Sequence, residues 1–191
     1  KADELANQSP IHPMVAAREL ASGIGKTPII DEALATAVDL RKFLDNDHSK
    51  QYSLNRGGAL GWGMPAAIGF SLGIGRKPVV SIVGDGAAMY SPQALWTAAY
   101  EKLPVTFIII NNREYNILKN FMRSQEDYAS ALTEKFIAMD MIDPPIDFLA
   151  LAKSMGLESQ RVICATDICS TVEKAISSNT PNLIEIVVAA Q

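Results

Sequence analysis

From Met14 onward the apolar positions switch repeatedly between helical and strand-like spacing. Val15, Ala16, Leu20 and Ile24 recur every three or four residues, and Gly25 follows as a stop, which predicts a helix from Met14. Pro28-Ile29-Ile30 is a short apolar run with strand character, and Leu34, Val38 and Phe43 return to helical spacing. The glycine-rich passage Gly57–Gly63 runs into PAAIGFSLGIG, a predicted helix with Pro65 in its first turn, where a missing N–H costs nothing. Val79–Val83 and Val105–Ile110 are nearly continuous apolar, β-branched runs, the pattern of strands buried on both faces of a parallel sheet. Between them, Pro92–Lys102 predicts a helix of the right length for a crossover.

After a polar stretch, Arg123–Pro145, the pattern predicts a helix over Ile146–Met155 and a strand near Arg161–Cys164. A helix over Asp167–Ser177 and a strand over Leu183–Val188 complete it. The polar stretch reads equally as a mobile lid or as a plain surface excursion. Lys1–Pro13 has two prolines and no apolar periodicity, so it reads as a linker from a preceding domain, with one domain over 14–191. The repeated β-α-β alternation predicts the α/β class: a doubly wound three-layer sandwich around a mainly parallel sheet.

Charge and composition remove several function classes. A net charge of −4 and the lack of any Lys/Arg run argue against a nucleic-acid-binding surface and against an anionic membrane partner. No apolar stretch reaches the ~18 residues that span a bilayer. The polar start, KADELANQSP, lacks the order of a signal peptide, so Asn7-Gln8-Ser9 reads as a chance glycosylation match. Cys164 and Cys169 are too few for a disulfide framework or a zinc site, and reduced thiols in a cytoplasmic protein are expected.

Two polar clusters sit at the carboxyl ends of the two best strands: Gly84-Asp85-Gly86 after Val83, and Asn111-Asn112 after Ile110. Asp85 and Asn112 lie 27 positions apart, the length of one helix and one strand. Ligands of doubly wound sheets bind beyond the carboxyl ends of the strands. If the two strands are neighbours, both side chains reach the same edge. Mg²⁺ takes oxygen ligands, commonly a carboxylate or two plus phosphates and water. Asp85 offers a charged oxygen, Asn112 an amide oxygen and Glu114 a main-chain carbonyl. Gly84 and Gly86 allow a close approach of backbone to a phosphate. The competing reading is that both clusters are ordinary turns. Their joint placement and spacing favour the site.

Other candidates fall away. Gly25-Lys26-Thr27 imitates the end of a P-loop, but Leu20 stands where the first glycine belongs. A dinucleotide pattern at Gly84-Asp85-Gly86 fails at Met89. His12 and His48 read as surface residues, Asp31-Glu32 as capping and loop geometry, and Trp62 and Trp96 as packing residues.

The segment GDGAAMYSPQALWTAAYEKLPVTFIIINN resembles the signature of the thiamine-diphosphate-dependent 2-oxo acid decarboxylases. YSPQALWTAAYEKLP is most similar to the benzoylformate decarboxylase branch, and RGGALGWGMPAAIG resembles the segment that embraces the cofactor. The resemblance runs from about Pro28 to Val188 and corresponds to the C-terminal domain of a three-domain family. It implies thiamine diphosphate and Mg²⁺ as cofactors, with Asp85, Asn112 and the carbonyl of Glu114 as metal ligands. It implies that Leu60 props the bent cofactor and that the main-chain oxygen of Gly58 accepts from its aminopyrimidine. DEALAT (Asp31–Thr36) matches the loop that holds the terminal phosphate, and Thr36, Gly84, Gly86, Ala87, Ala88 and Tyr115 are the remaining cofactor-side positions. Ile117, Leu118 and Phe121 would line the substrate side, in keeping with an apolar 2-oxo acid. Ala33, Ala35 and Ala87 replace common hydroxyl residues, and Arg113 and Glu114 replace smaller ones. Each such loss removes a phosphate hydrogen bond of about 1 kcal/mol. The resemblance places the activating glutamate on another domain, so no catalytic residue is expected in this chain. The N-terminal domain of the same enzyme or a second subunit is the expected partner, within a homo-oligomer. An acetolactate synthase-like carboligase and a non-catalytic Mg²⁺–diphosphate-binding module remain as alternatives.

Overall fold

The computed structural model describes residues 2–5, 8–44 and 51–190. Six strands form one sheet: β1 (Ile29–Glu32), β2 (Tyr52–Leu54), β3 (Val79–Gly84), β4 (Val105–Asn111), β5 (Glu158–Val162) and β6 (Asn182–Val187). They lie in the order β2-β1-β3-β4-β6-β5, and every pairing is parallel. The helices are α1 (Pro13–Ile24), α2 (Ala37–Phe43), α3 (Gly63–Gly73), α4 (Asp85–Ala88), α5 (Ala94–Glu101), α6 (Asn116–Arg123), α7 (Ala129–Thr133), α8 (Phe148–Ser154) and α9 (Ala165–Ser177).

The strand residues sort by parity, because successive side chains leave a strand on opposite faces. Ile108, Ile110, Ile184 and Ile186 join one core with Leu20 of α1, Leu40 of α2 and Val172 of α9. Phe107, Ile109 and Leu183 join a second core with Met64 of α3, Leu95 of α5 and Phe148 of α8. The doubly wound sandwich expected from the alternation is therefore present: helices cover both faces, which is why β3 and β4 are apolar throughout. On one face α1 and α9 approach closely at Gly23, where a Cβ would stand 2.7 Å from the carbonyl oxygen of Cys169.

Several elements differ in extent from the sequence reading. The helix expected through Leu34 begins at Ala37, because Leu34 adopts a positive φ of 50° in the preceding loop. The strand expected near Arg161–Cys164 lies at Glu158–Val162; three of its five residues are exposed on the sheet edge, so it lacks the apolar pattern that marks buried strands. β2, α6 and α7 lie outside the elements that the sequence pattern predicts. Within the segment read as a linker, Ile11 is 1% exposed, forms a parallel bridge with Val188, and its carbonyl accepts from Ala189 N–H at 2.8 Å. His12 caps α1, its Nδ1 accepting from Met14 N–H at 3.1 Å, with Pro13 in the first turn. Asn7 and His48 lie outside the described residues. Trp62 packs against the second core, whereas Trp96 is 54% exposed and stacks on Tyr100 rather than packing inside. Cys164 and Cys169 are free thiols. No helix of the described residues is long and apolar enough to cross a membrane.

Candidate functional site

The chain runs outward from β1 to β2 on one side and from β3 to β4 on the other. The strand order thus reverses between β1 and β3, the position where a crevice opens at the carboxyl ends of a parallel sheet. A cleft does open there. The loop after β1 (Ala33–Thr36), Leu60, the Gly84–Ala87 turn, and Asn112 with Glu114–Ile117 line it.

Asp85 sits at the floor, only 4% exposed. Its Oδ1 accepts from Gly86 N–H at 2.9 Å and its Oδ2 from Arg113 N–H at 2.6 Å, so backbone groups from the ends of β3 and β4 both hold it. Burial raises its carboxyl to about 6; these N–H bonds work against the shift and the charge of Glu114 adds to it. Arg113 reaches Asp85 by adopting a positive φ of 61°. Asn112 Oδ1 accepts from Glu114 N–H at 3.2 Å, which folds the loop back on itself. The first asparagine of the pair does not line this cleft; its Oδ1 shares the Arg113 N–H with Asp85, at 3.0 Å. Asn111 Nδ2 donates at 2.6 Å to Glu185, a carboxylate that also accepts from Arg161 Nε at 2.7 Å. Gly86 has no alternative, since a Cβ there would enter the Tyr115 ring.

A second buried carboxylate shapes the opposite wall. Glu32 accepts from the N–H groups of Gly61, Trp62 and Gly63 at 2.7, 3.3 and 2.6 Å, tying the glycine-rich loop and the start of α3 to the end of β1. A Cβ on Gly63 would lie 2.8 Å from Glu32 Oε2, and Gly61 (φ 92°) closes against Tyr90. Asp31 accepts from Ala33 N–H at 2.7 Å and from the Tyr52 hydroxyl. Burial raises the Asp31 carboxyl despite these bonds, and burial together with Asp31 raises the Tyr52 hydroxyl. The expected capping and loop role of Asp31-Glu32 is what these contacts perform. Glu32 lines the crevice that adjoins the cleft, and nothing in its local sequence signals donors some 30 residues away.

Of the residues picked from the sequence, Thr36, Leu60, Gly84, Asp85, Gly86, Ala87, Asn112, Glu114, Tyr115 and Ile117 meet in this cleft. Gly58 lines an adjoining crevice with Asp31, Arg41 and Tyr52, and Ile117 borders both. Ala88 instead belongs to the second core with Val83 and Leu95, because the short α4 turns its side chain inward. Leu118 and Phe121 are 41% and 56% exposed on α6 and do not line the cleft. That helix is inside out: its buried residues are Asn116 and Lys119. Lys119 donates to the carboxylates of Glu114 and Asp140. Burial opposes its charge, but those two partners hold it above the ordinary lysine range.

The donor chemistry fits a hard cation. One carboxylate and one amide oxygen open into a cleft beside a main-chain turn, and among the described residues no cluster of three His, Cys, Asp or Glu side chains competes with them. Such a set leaves coordination places for phosphate and water oxygens, as Mg²⁺ requires. Thr36 precedes α2 without using its hydroxyl as a cap, so that group remains for a phosphate.

Residues 35–186 match the family described as "Thiamine pyrophosphate enzyme, C-terminal TPP binding domain". The chain is 30% identical over 157 residues to the benzoylformate decarboxylase of Pseudomonas aeruginosa, covering 82% of this chain and 28% of that protein. It is 32% identical over 129 residues to the acetolactate synthase large subunit of Parasynechococcus marenigrum, covering 68% of this chain and 20% of that one. The solved structure of a thiamine diphosphate-dependent 4-hydroxybenzoylformate decarboxylase from Rhodococcus jostii superposes with a TM-score of 0.85 at 29% identity, over 96% of this chain and 34% of that one. The chain thus spans about a third or less of the length of these relatives.

The Glu32 contacts yield a stability prediction. Glu32→Gln places an amide NH₂ against one of three backbone donors and removes the charge from the others. Urea unfolding should show a loss of about 2–4 kcal/mol. An unchanged midpoint and slope would mean that the α3 start holds its shape without this carboxylate.

Proposed function

Because the chain belongs to the C-terminal TPP-binding domains of the thiamine pyrophosphate enzymes, we propose that its cleft holds Mg²⁺ and the diphosphate of thiamine diphosphate, and that its enzyme decarboxylates an apolar 2-oxo acid. The observation that carries the proposal is the convergence of Asp85, Asn112 and Glu114 on the crevice that also contains the Thr36 loop and the Gly84–Ala87 turn. Asp85 and Asn112 would ligate the metal through side-chain oxygens and Glu114 through its carbonyl. The two N–H groups on Asp85 fix the carboxylate in one orientation before any metal arrives, so little ordering remains to be done on binding. Thr36 would donate to a phosphate oxygen, and Leu60 would support the cofactor from the wall opposite Tyr115.

Bound thiamine diphosphate supplies the electron sink that lets a 2-oxo acid release carbon dioxide. The carboxylates nearest the cleft are all engaged: Asp85 and Glu32 on backbone N–H groups, Asp31 on Ala33 and Tyr52, Glu114 on Lys119 and Asn116. The resemblance to the 2-oxo acid decarboxylases would place the group that moves the activating proton on a second domain or subunit, in keeping with a homo-oligomeric enzyme. The outward apolar side chains Ile117, Leu118 and Phe121 would meet that partner and the substrate. Similarity to both a benzoylformate decarboxylase and an acetolactate synthase keeps two outcomes in view. The apolar face of α6 and the superposition on a 4-hydroxybenzoylformate decarboxylase favour decarboxylation of an aromatic acid. Benzaldehyde release from benzoylformate by the assembled enzyme would support this reading; acetolactate formed from pyruvate, without aldehyde, would replace it with carboligation.

Calorimetric titration of thiamine diphosphate into the chain tests the site directly. Binding heat is expected with Mg²⁺, and its loss is expected with excess chelator or in Asp85→Ala. Equal heats in all three conditions would sink the metal assignment. The pH dependence follows from the raised Asp85 carboxyl. In the metal-free chain its folded value lies above the unfolded one, so Asp85 subtracts stability as pH rises from about 3.8 to about 6. Mg²⁺ binds the ionised form, so Mg²⁺-dependent affinity should be level above pH 7 and fall about tenfold per pH unit below 6. A profile flat down to pH 5 would contradict an Asp85 ligand.

A further inference from the structure

The polar stretch between α6 and α8 is bonded to the loop that carries two of the proposed ligands. Tyr115 N–H donates to the Met139 carbonyl at 2.9 Å, Met141 N–H donates to the Arg113 carbonyl at 2.8 Å, and Glu114 faces Asp140 as an antiparallel bridge. Residues 113–115 and 139–141 thus form a two-rung ladder. Lys119 crosses this ladder from the inner face of α6, its Nζ donating to Glu114 on one side and to Asp140 on the other. Further along, the guanidinium of Arg123 lies 4.7 Å from the Phe136 ring centroid and its Nε donates to Glu134 at 3.1 Å.

A lysine only 6% exposed, on a helix that leaves Ile117, Leu118 and Phe121 outside, is a costly arrangement unless its position matters. What it holds is a loop with little freedom left. Arg113, in the left-handed region, is tied to Asp85 through its N–H and to the ladder through its carbonyl. Asn112 and Glu114, either side of it, are bonded to one another. We infer that Lys119 is a positioning residue for metal binding, and that residues 136–141 act as a brace whose ordering and the Mg²⁺ affinity of the cleft raise one another. The inference rests on the reading that Asn112 and Glu114 are ligands. Coupling of this kind is reciprocal: whatever orders the brace tightens the metal, and the metal must order the brace by the same factor.

The test uses the full chain as wild type, Lys119→Met, Asp140→Asn and Asp85→Ala. Thiamine diphosphate affinity is measured with Mg²⁺ by calorimetry, and amide exchange is followed at Tyr115 and Met141. Asp140 is half exposed, so Asp140→Asn removes one leg of the brace without stranding a buried charge. In the wild type, Mg²⁺ with thiamine diphosphate should slow exchange at both amides. Asp140→Asn should weaken Mg²⁺-dependent binding about five- to tenfold, speed exchange at Met141 before ligand is added, and leave the circular dichroism spectrum unchanged. Lys119→Met should do more of each, and if it does not fold, Asp140→Asn decides. Wild-type affinity in both variants, with faster exchange at Met141, would overturn the brace and leave the metal site standing. Absence of Mg²⁺-dependent binding in the wild type, matching Asp85→Ala, would remove the metal reading and the brace with it.

Discussion

The site depends on keeping one carboxylate ionisable in a place that water hardly reaches. Asp85 lies at the junction of β3 and α4, and desolvation alone would neutralise it. Two backbone N–H groups from different strand ends counter that penalty, and supplying them constrains everything nearby. Gly86 must lack a side chain so that Tyr115 can pack over it, and Arg113 must take a left-handed conformation to aim its N–H. β3 and β4 must pair in register, Gly84 opposite Ile110, for the two ends to meet at all. A doubly wound sheet meets these demands because adjacent parallel strands bring the carboxyl ends of β3 and β4 side by side, next to the crevice that opens between β1 and β3.

The opposite wall repeats the principle with a different aim. Glu32 is buried like Asp85, but its three N–H donors all come from Gly61, Trp62 and Gly63, which makes it a structural clamp on the glycine-rich loop. Asp85 has two donors and faces the cleft, so acceptor positions remain open to a cation. The number and direction of donors separate a clamp from a ligand more clearly than residue type does.

These differences explain what the sequence disclosed. The sheet was legible because β3 and β4 are buried on both faces and therefore apolar throughout, and the proposed ligand pair because Asp85 and Asn112 closely follow those runs. Strands at the sheet edge, β2 and β5, carry mixed residues, so β2 gave no period to read and β5 only an approximate position. The orientation of helix α6 was hidden because it reverses the usual rule, with Asn116 and Lys119 inside and Ile117, Leu118 and Phe121 outside. The role of Lys119 depends on Asp140, 21 positions away across an irregular segment, and no local pattern encodes that meeting. Ala88 lies in the short helix α4 with its side chain in the second core, a placement that a glycine-rich motif does not announce.

The inverted helix also has a meaning for a copy of the chain that has no partner over it. Three large apolar side chains displayed on one short helix form the kind of surface that chaperones bind and that drives chains to associate indiscriminately. A copy whose α6 is covered hides that surface, while an orphan copy advertises it. If α6 meets a partner as proposed, burial of Ile117, Leu118 and Phe121 would distinguish a partnered copy from an unpartnered one.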